Sequence, residues 1–425
     1  MSFHNKITRG AAVTALLSAL LCSATVKQPV ITLTNTLGAA RPASEMAEID
    51  ADDIPYADFA LVTQGGDTLP WQRTYDGKII FPRPVMQGKA VRITVAEGKA
   101  GSIAPSVFGR LYPERQMDFS LENDRVAYRI YGPETMRKKE RLYGYDIFLK
   151  RGAALVLDKF YDRQCDKEMW NTVGKLRAMG QRELADDVYQ YGFCYHVDHG
   201  EGMDIYKVGA TLGAGTNALL RGEDIIYPWC FRQAEVLDNG PLRLTVRLTF
   251  RPFSIGSDTD DTLYETRILT LDAGSRMVRA SISYSADLPD AVTPICGIAV
   301  HKENPGAYAM DSKQGIIVYE DLGDPDIYRK KDRNRLDPQK GRTFIGCIMP
   351  GSTGCRFLPF ARETSGAVGH VIAAAPAASH AVTYYFGYAW DRSDNAAIHS
   401  KEEWMTYLRQ YAAQVSHPLK VRISK

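Results

Sequence analysis

The stretch 241-PLRLTVRLTF-250 alternates apolar and polar side chains over nearly its whole length. Leu, Val and Phe occupy the even positions from Leu242 to Phe250, and Arg or Thr occupies the odd positions from Arg243 to Thr249. Successive side chains of a β-strand point to opposite faces, so this alternation predicts a long strand with one apolar and one polar face.

Further strands are predicted on both sides of this stretch. Residues 266–272 and 277–285 form two runs joined by Ala273-Gly274-Ser275, which has the composition of a tight hairpin turn. Nearer the N-terminus, turn residues such as Gly65-Gly66-Asp67 separate short β-like runs at residues 30–34, 79–81 and 91–95. Long paired strands of this kind indicate a broad antiparallel sheet.

Two helices are predicted to interrupt the β pattern. One covers residues 166–179, and the other follows Ser400, which forms a capping box with Glu403. Long alternating strands with few helices favour two stacked antiparallel sheets over a parallel sheet, which would need a helix after nearly every strand. We therefore expect a mainly β sandwich over residues 105–425, preceded by a small β-subdomain at residues 25–104.

Residues 1–24 have the features of a secretory signal peptide. Lys6 and Arg9 precede the apolar run 11–21, and small residues follow it. The alternative is a lipid anchor on Cys22, although the Leu before it fits the acceptor motif poorly. We expect an exported, periplasmic protein, because no other run approaches the ~20 apolar residues that a membrane-spanning helix needs.

Charge and motif content argue against several functions. The chain has 52 Lys and Arg against 50 Asp and Glu, so no overall positive field would attract nucleic acid. It contains no G-x-G-x-x-G, H-E-x-x-H or G-x-S-x-G motif, which removes support for nucleotide cofactors, zincin chemistry and α/β-hydrolase chemistry. The cysteines form no C-x-x-C pair, so structural zinc is not expected, and disulfide pairing stays open.

The densest group of ionisable side chains lies in YHVDHGEGMDIYKVGATLGAG, residues 195–215. It contains His196, Asp198, His199, Glu201, Asp204, Tyr206 and Lys207. Glycines in such a run let the backbone approach a ligand, as active-site loops do. Two other interpretations stay open. The acids and histidines could satisfy one another in an exposed loop, or Asp198, His199, Glu201 and Asp204 could hold a divalent cation, although their spacing matches no established motif.

Aromatic and polar residues outside this run are candidates for sugar binding. Trp229 follows Tyr227 and precedes Arg232, so the patch combines aromatic faces that stack on sugar rings with a guanidinium that can hold a carboxylate. A strand edge with a core Trp explains the same patch equally well. Gln164 and Trp390 are further candidates, the latter as one wall of a cleft.

Three runs resemble one protein family. RVAYRIYGPE at 125–134, DHGEGMDIYKVGATLGAG at 198–215 and GYAWDRSDN at 387–395 are similar to DUF4861, a domain-of-unknown-function family of galactose-mutarotase-like proteins from bacterial polysaccharide-utilisation loci. The resemblance covers the whole mature chain. It implies a galactose-mutarotase-like antiparallel supersandwich, and a relationship to an ulvan oligosaccharide dehydratase that forms an unsaturated uronate at the non-reducing end.

The resemblance therefore implies a carbon–oxygen lyase acting on uronate-containing oligosaccharides, without a cofactor. Such a reaction needs a cation for the carboxylate, a base for the adjacent proton and an acid for the leaving oxygen. We expect His199 as base, Tyr206 as acid and Glu201 to orient the imidazole. Substrate binding is expected from Arg232 or Lys207 at the carboxylate, and from Trp229, Asp204, His196, Gln164 and Trp390. An epimerase, a glycoside hydrolase and a non-catalytic carbohydrate-binding protein are the alternatives.

Overall fold

A computed structural model describes residues 28–227, 229–255, 262–376, 379–394 and 396–424. The first fourteen strands are β1 (Val30–Thr34), β2 (Met46–Asp50), β3 (Phe59–Thr63), β4 (Thr68–Leu69), β5 (Gln72–Arg73), β6 (Lys78–Pro82), β7 (Ala90–Glu97), β8 (Val107–Tyr112), β9 (Asp118–Asn123), β10 (Ala127–Ile130), β11 (Asp146–Lys150), β12 (Gly202–Met203), β13 (Ala214–Arg221) and β14 (Asp224–Ile226). The remaining strands are β15 (Phe231–Asn239), β16 (Arg243–Phe250), β17 (Phe253–Ser254), β18 (Thr262–Leu263), β19 (Glu265–Asp272), β20 (Met277–Tyr284), β21 (Val292–His301), β22 (Tyr308–Asp311), β23 (Ile316–Asp321), β24 (Thr343–Ile348), β25 (Gly354–Thr364), β26 (Ala367–Ala374), β27 (Ala381–Trp390) and β28 (Lys420–Ser424).

Two antiparallel sheets stacked face to face form the body of the protein. The larger has eight strands in the order β15-β16-β19-β20-β27-β24-β23-β22, and the smaller has five in the order β14-β13-β21-β26-β25. Strands β21 and β13 of the smaller sheet pack against β23, β24 and β27 of the larger. The prediction of a mainly β protein with antiparallel sheets is confirmed. So are the strand in 241–250, which is β16, and the β19–β20 hairpin.

A third sheet, β12-β11-β10-β9-β8, adjoins the large sheet where β8 contacts β15 and β16. Strands β9, β10 and β11 are buried on both faces, so the charged side chains that they carry lie inside the protein. Val126, Tyr128 and Ile130 belong to the main core. This sheet carries the candidate site.

The N-terminal region has its own small core. It consists of a five-stranded sheet, β28-β1-β7-β3-β4, and a three-stranded sheet, β2-β6-β5. Ile31, Phe59 and Ile79 are among its fully buried residues. The last strand, β28, pairs with β1 from residue 420 to residue 424, so the chain ends in the sheet in which it begins. Local alternation did not predict this return.

Six α-helices accompany the sheets in the described part of the chain. They are α1 (Pro133–Arg137), α2 (Leu157–Gln164), α3 (Lys167–Ala178), α4 (Arg182–Asp187), α5 (Arg333–Lys340) and α6 (Lys401–Ser416). The two predicted helices are α3, capped by the Asp166 carboxylate, and α6, capped by Ser400 Oγ, which accepts from Glu403 N at 3.1 Å. The sequence reading missed the other four and a π-helical turn at Val188–Phe193, since each is too short to show a repeated apolar face.

Within the described ranges, no helix is long and apolar enough to cross a membrane. The expected signal peptide at 1–24 and the alternative anchor at Cys22 lie outside the described residues.

Candidate active site

A buried arginine organises the polar side chains of the third sheet. The Arg129 guanidinium donates from Nε to Asp146 Oδ2 at 3.0 Å and from Nη2 to Asp204 Oδ2 at 2.9 Å. It also donates from Nη1 to the Tyr195 hydroxyl at 2.9 Å and from Nη2 to the Tyr131 hydroxyl at 3.2 Å. The Tyr131 hydroxyl in turn donates to Asp146. We call these five residues the Arg129 cluster.

Strand register brings the cluster together. Arg129 on β10 and Asp146 on β11 are directly opposite each other in the antiparallel ladder. Strand β12 pairs with β11, and Asp204 follows it, with its backbone N–H donating to the Tyr195 carbonyl at 2.9 Å. One cation thus contacts two carboxyl groups that are 1 % and 2 % exposed. A single buried arginine neutralises only one of them, so the other resists ionisation.

Burial therefore favours the protonated form of the second carboxyl group. Burial raises the pKa of Asp204 to about 8. The positive charge of Arg129 opposes this shift, and the negative charge of Asp146 adds to it. Burial also raises the pKa of the neighbouring Asp118 to about 6, although Arg129 and Arg115 oppose the shift. Groups with strongly shifted pKa values concentrate at functional sites, which marks this part of the molecule as a candidate.

His196 lies at the edge of the cluster. Its Nδ1 is hydrogen-bonded to the Asp204 carbonyl, and the same atom is 3.8 Å from Asp204 Oδ2. Burial lowers the pKa of His196 to about 4, and the positive charges of Arg129 and Arg115 contribute to the shift. A neutral imidazole that donates from Nδ1 to a carbonyl carries its lone pair on Nε2. The side chain is 28 % exposed, and no hydrogen bond of Nε2 is found among the described residues.

A strained loop forms one rim of the site. Gln116 and Met117 have φ values of 54° and 59°, a left-handed conformation that side chains other than glycine rarely adopt. Gly132 makes this loop possible, because a Cβ there would lie 2.0 Å from the Met117 carbonyl oxygen. Backbone strain of this kind clusters at ligand-binding sites. Arg115, half-exposed beside Tyr195 and Asp118, has no ion pair among the described residues.

Four buried polar atoms of the strained loop, strand β9, helix α1 and the π-helical turn have no hydrogen-bond partner among the described residues. They are Gln116 Oε1, Asp118 Oδ2, Thr135 Oγ1 and Gln190 Nε2. Buried polar groups are rarely left without a partner, so these atoms are candidates to bind water or a ligand. Gln190 belongs to the π-helical turn, an element that is frequent at functional sites.

The three residues to which the sequence assigned catalysis have different surroundings. His199 Nε2 is hydrogen-bonded to the Cys194 carbonyl at 3.0 Å, and burial lowers the pKa of its imidazole. The Glu201 carboxylate accepts from Arg163 Nη2 at 3.1 Å, and its negative charge acts on the His199 imidazole. Tyr206 belongs to the main core, and its buried hydroxyl has no hydrogen-bond partner among the described residues.

A second polar centre lies next to Tyr206. His301 Nδ1 is 2.6 Å from Asp321 Oδ2, and its Nε2 is 2.9 Å from the Lys207 carbonyl. Burial lowers the pKa of His301, but the charge and hydrogen bond of Asp321 outweigh it, and the net shift is upward. Both ring nitrogens lie within hydrogen-bonding distance of an acceptor, an arrangement that favours the protonated imidazole. The Lys207 ammonium lies 3.3 Å from Asp324.

The predicted substrate-binding residues divide between several places. Asp204, His196 and Gln164 lie together, since Gln164 Oε1 accepts from Tyr195 N at 3.4 Å. Arg232 is exposed and lines a separate hollow of about 450 Å³ with Arg251. Trp390 is buried, and its Nε1 donates to the Lys340 carbonyl at 2.6 Å, so it lies inside the protein and forms no cleft wall.

Trp229 belongs to a half-exposed aromatic group. The Tyr143 and Tyr227 rings stack with centroids 4.5 Å apart, and Trp229 meets Tyr143 edge-on at 6.0 Å. The next residue, Cys230, is buried near Asp118 and accepts a hydrogen bond from the Met136 backbone N–H. The aromatic group therefore adjoins the side of the site on which Asp118 and helix α1 lie.

The predicted cation ligands have other partners. Among the residues that the structure describes, no group of three or more His, Cys, Asp and Glu is arranged to hold a metal ion. Asp198 accepts from Arg151 Nε at 2.5 Å, while Asp204 is bound to Arg129.

Sequence reasoning missed Arg129, Asp146, Arg115 and Asp118 as site residues. Charged residues alternate with Val126, Tyr128 and Ile130, a pattern that indicates a half-buried strand with Arg129 on its polar face. Asp146 ends the polar run 143–146, which by itself indicates no role. The available signal was the density of ionisable residues on consecutive predicted strands, which a buried sheet can accommodate only if they pair.

The family model of a domain of unknown function, DUF4861, matches residues 33–421. The chain belongs to this family. This DUF4861 protein is 24 % identical over 323 residues to "Uncharacterized protein P7" of Formosa agariphila, a match that covers 74 % of this chain and 69 % of the relative. The recognition of the family from three short runs is thereby confirmed.

Solved structures resemble this DUF4861 protein in fold. A protein in the Glycosyl Hydrolase Family 38 from Enterococcus faecalis superposes with a TM-score of 0.50 at 8 % identity, covering 94 % of this chain and 47 % of that one. An α-mannosidase from Enterococcus faecalis V583 superposes with a TM-score of 0.46 at 8 % identity, covering 93 % and 46 %. The chain thus spans about half the length of these proteins, and the likeness is one of fold.

Proposed function

We propose that this DUF4861 protein is a carbohydrate-active carbon–oxygen lyase on a galactose-mutarotase-like sandwich, and that His196 is its base. The substrate class is an oligosaccharide with a uronate at the non-reducing end. The observation that carries the proposal is the state of His196. Burial lowers the pKa of its imidazole to about 4, its Nδ1 is hydrogen-bonded to the Asp204 carbonyl, and Nε2, next to the cluster of shifted carboxyl groups, has no hydrogen-bond partner in the described part of the chain.

The reaction is a β-elimination. His196 Nε2 removes the proton on the carbon next to the uronate carboxyl group, and the electron pair of that C–H bond forms a carbon–carbon double bond. The bond from the adjacent ring carbon to its oxygen substituent breaks, and the electron pair leaves with the oxygen. The imidazolium then returns the proton to this oxygen, which gives water from a free hydroxyl group or an alcohol from a glycosidic one.

Arg115 is proposed to hold the uronate carboxylate. It is half-exposed and without an ion pair among the described residues, whereas the Arg129 guanidinium is already shared by two carboxyl groups. A cation at the carboxylate acidifies the neighbouring C–H bond by stabilising the developing negative charge. The protonated Asp204 helps as well, because it adds no second negative charge to repel the substrate.

These assignments differ from the sequence-based hypothesis in two roles. His199 could also act as base, through Nδ1, but it lies farther along the loop, with no direct hydrogen bond to the Arg129 cluster. Tyr206 has its hydroxyl inside the core, so we give the acid role to His196 itself. Trp229 and its two tyrosine neighbours are proposed to stack on a sugar ring of the substrate.

The reaction class is tested with uronate oligosaccharides by ultraviolet absorbance. Elimination produces a conjugated double bond, and we expect absorbance to rise with time. Release of reducing sugar without absorbance would make the protein a hydrolase, and a change of epimer seen by NMR would make it an epimerase. Binding without any product would reduce it to a carbohydrate-binding protein. Each of these three results contradicts the lyase proposal.

The base is tested by a matched pair of variants. His196→Gln retains an amide donor for the Asp204 carbonyl but cannot accept the proton, so we expect kcat to fall by about 10²–10⁴-fold. His199→Gln, three residues away, is expected to change kcat by less than about threefold. Equal losses, or a larger loss for His199→Gln, would transfer the base role to His199. Circular dichroism checks that both variants fold.

A further inference from the structure

A large cavity lies away from the candidate active site. Its volume is about 810 Å³, within the range of small-molecule sites, and it opens between the N-terminal region, the outer face of the large sheet and helix α6. Arg125, at one end of β10, lines it, whereas Tyr131 of the Arg129 cluster follows the other end of that strand. The two sites are therefore distinct.

The cavity has an excess of positive charge. Five arginines line it, against three acidic residues; they are Arg41, Arg125, Arg243, Arg276 and Arg279, with Glu45, Glu48 and Asp272. Arg41 pairs with Glu45, and Arg243 pairs with Asp272 and Glu48. The three acids are thus all engaged by two of the arginines.

Arg276 and Arg279 have no ion pair among the described residues. Arg279 is exposed, but Arg276 is largely withdrawn from water. Burial and the charge of Arg125 lower the pKa of Arg276, partly offset by Tyr407. A cation held in this way, with another arginine nearby, is stabilised by an anion that enters the cavity.

Helix α6 supplies an aromatic wall to the same cavity. Tyr407 and Tyr411 lie one helical turn apart with ring centroids 6.4 Å apart, and Tyr385 of the sheet meets Tyr411 edge-on at 5.5 Å. Behind them, Tyr407 stacks on the buried Trp404 at 5.0 Å, which fixes the wall in place. Half-buried tyrosine faces stack on the apolar side of sugar rings, while arginines bind carboxylate or sulfate groups.

We propose that this cavity is a second binding site, for an anionic oligosaccharide, with Arg276 as the residue that holds its carboxylate or sulfate group. The excess of arginines makes the cavity favour an anion over a neutral ligand. The tyrosine wall makes it favour a sugar over a simple inorganic ion. The site would hold a polymer chain on the protein while its end is processed elsewhere. The proposal does not depend on the lyase activity.

The test is calorimetric titration of the His196→Gln protein, which keeps any uronate substrate intact. The probes are tetragalacturonate, a heparin-derived sulfated tetrasaccharide and neutral maltotetraose. We expect an added Arg276→Gln substitution to weaken binding of at least one anionic probe by about tenfold or more, the loss of one charge-assisted contact. Arg362→Gln, which removes an exposed arginine outside the cavity, should leave the affinity unchanged.

The outcomes separate the two proposals. The anionic probe with the larger loss identifies the group that Arg276 binds. Unchanged affinity for both anionic probes in the Arg276→Gln protein, with its fold verified by circular dichroism, would overturn the proposal, as would equally tight binding of maltotetraose. Arg279→Gln, which removes another arginine of the same cavity, tests the proposal independently of Arg276. The lyase proposal is judged by absorbance in the wild-type protein, which does not involve Arg276.

Discussion

Two histidines of this protein lie beside buried aspartates and differ in the partners of their ring nitrogens. His301 has a carboxylate on Nδ1 and a carbonyl on Nε2, so its protonated form is favoured and its pKa is raised. His196 has a carbonyl on Nδ1, and the nearby carboxyl group is bound to Arg129. Burial lowers the pKa of His196 to about 4, and the positive charge of Arg129 adds to the shift.

The difference shows what decides whether a buried histidine is held as a cation or remains available as a base. Proximity to an aspartate is not sufficient, because that aspartate may already be bound to a stronger cation. Arg129 pairs with both carboxyl groups of its cluster, and its positive charge adds to the effect of burial in keeping the pKa of His196 low. Within the described ranges Asp321 pairs with no arginine, and its negative charge raises the pKa of His301.

Of the variants considered, Arg129→Met should lose the most stability, because it removes the cation that contacts both carboxyl groups of the cluster. Met has a comparable length and no charge, so the core stays filled while Asp146 and Asp204 lose the one cation to which they are bonded in the described part of the chain. We expect the free energy of unfolding at pH 7 to fall by about 3–5 kcal/mol, measured by urea denaturation.

The control is Arg356→Met, at an exposed arginine of β25, for which the change should stay within about 0.5 kcal/mol. The loss at Arg129 should shrink in acid, where both carboxyl groups are protonated. A variant that keeps wild-type stability at pH 7 would mean that Arg129 does not hold the cluster together.

His301→Gln tests the second of the two histidines. We expect it to lose less stability than Arg129→Met. The amide retains a donor for Asp321 but not the charge, so we expect a loss of about 1–3 kcal/mol in unfolding free energy with little change in kcat. Because the pKa of His301 is raised in the folded protein, its contribution is fully present below the unfolded value and declines as pH rises through the folded one.

The stability difference between the wild-type protein and His301→Gln should therefore narrow as pH rises above neutrality. His399→Gln, at an exposed histidine, should show no such trend. A difference that widens with pH would show that His301 is neutral in the folded protein.

The sequence allowed the sheets to be predicted but not the cluster, for a physical reason. Strand β16 and the β19–β20 hairpin follow from alternation over ten residues or fewer, and neighbours in the chain determine them. Arg129 meets Asp146 across 17 positions and Asp204 across 75, through a register that depends on how β10, β11 and β12 pair. The ionisable run 195–215 contains three members or neighbours of the Arg129 cluster, Tyr195, His196 and Asp204.

The choice between its two histidines could not be made in advance. Whether His196 or His199 keeps a free nitrogen depends on which backbone carbonyl each ring meets, Asp204 or Cys194, and residue type does not determine this.

Asp204→Asn should have the smallest effect of the proposed variants. It tests whether the protonated carboxyl group of Asp204 matters for the activity of His196. Above pH 8 the Asp204 carboxyl group loses its proton, and a second negative charge then lies 3.8 Å from His196 Nδ1 and close to the substrate carboxylate. We expect kcat/KM of the wild-type protein to fall by about tenfold per pH unit on the alkaline side, as for a single ionisation.

Asparagine cannot ionise, so the Asp204→Asn variant should keep its activity on the alkaline side. Since His196 loses its base form only near pH 4, the acidic side of the profile should be the same in both proteins. An alkaline fall that persists in Asp204→Asn would assign it to another group and leave the neutral carboxyl of Asp204 without a role in catalysis.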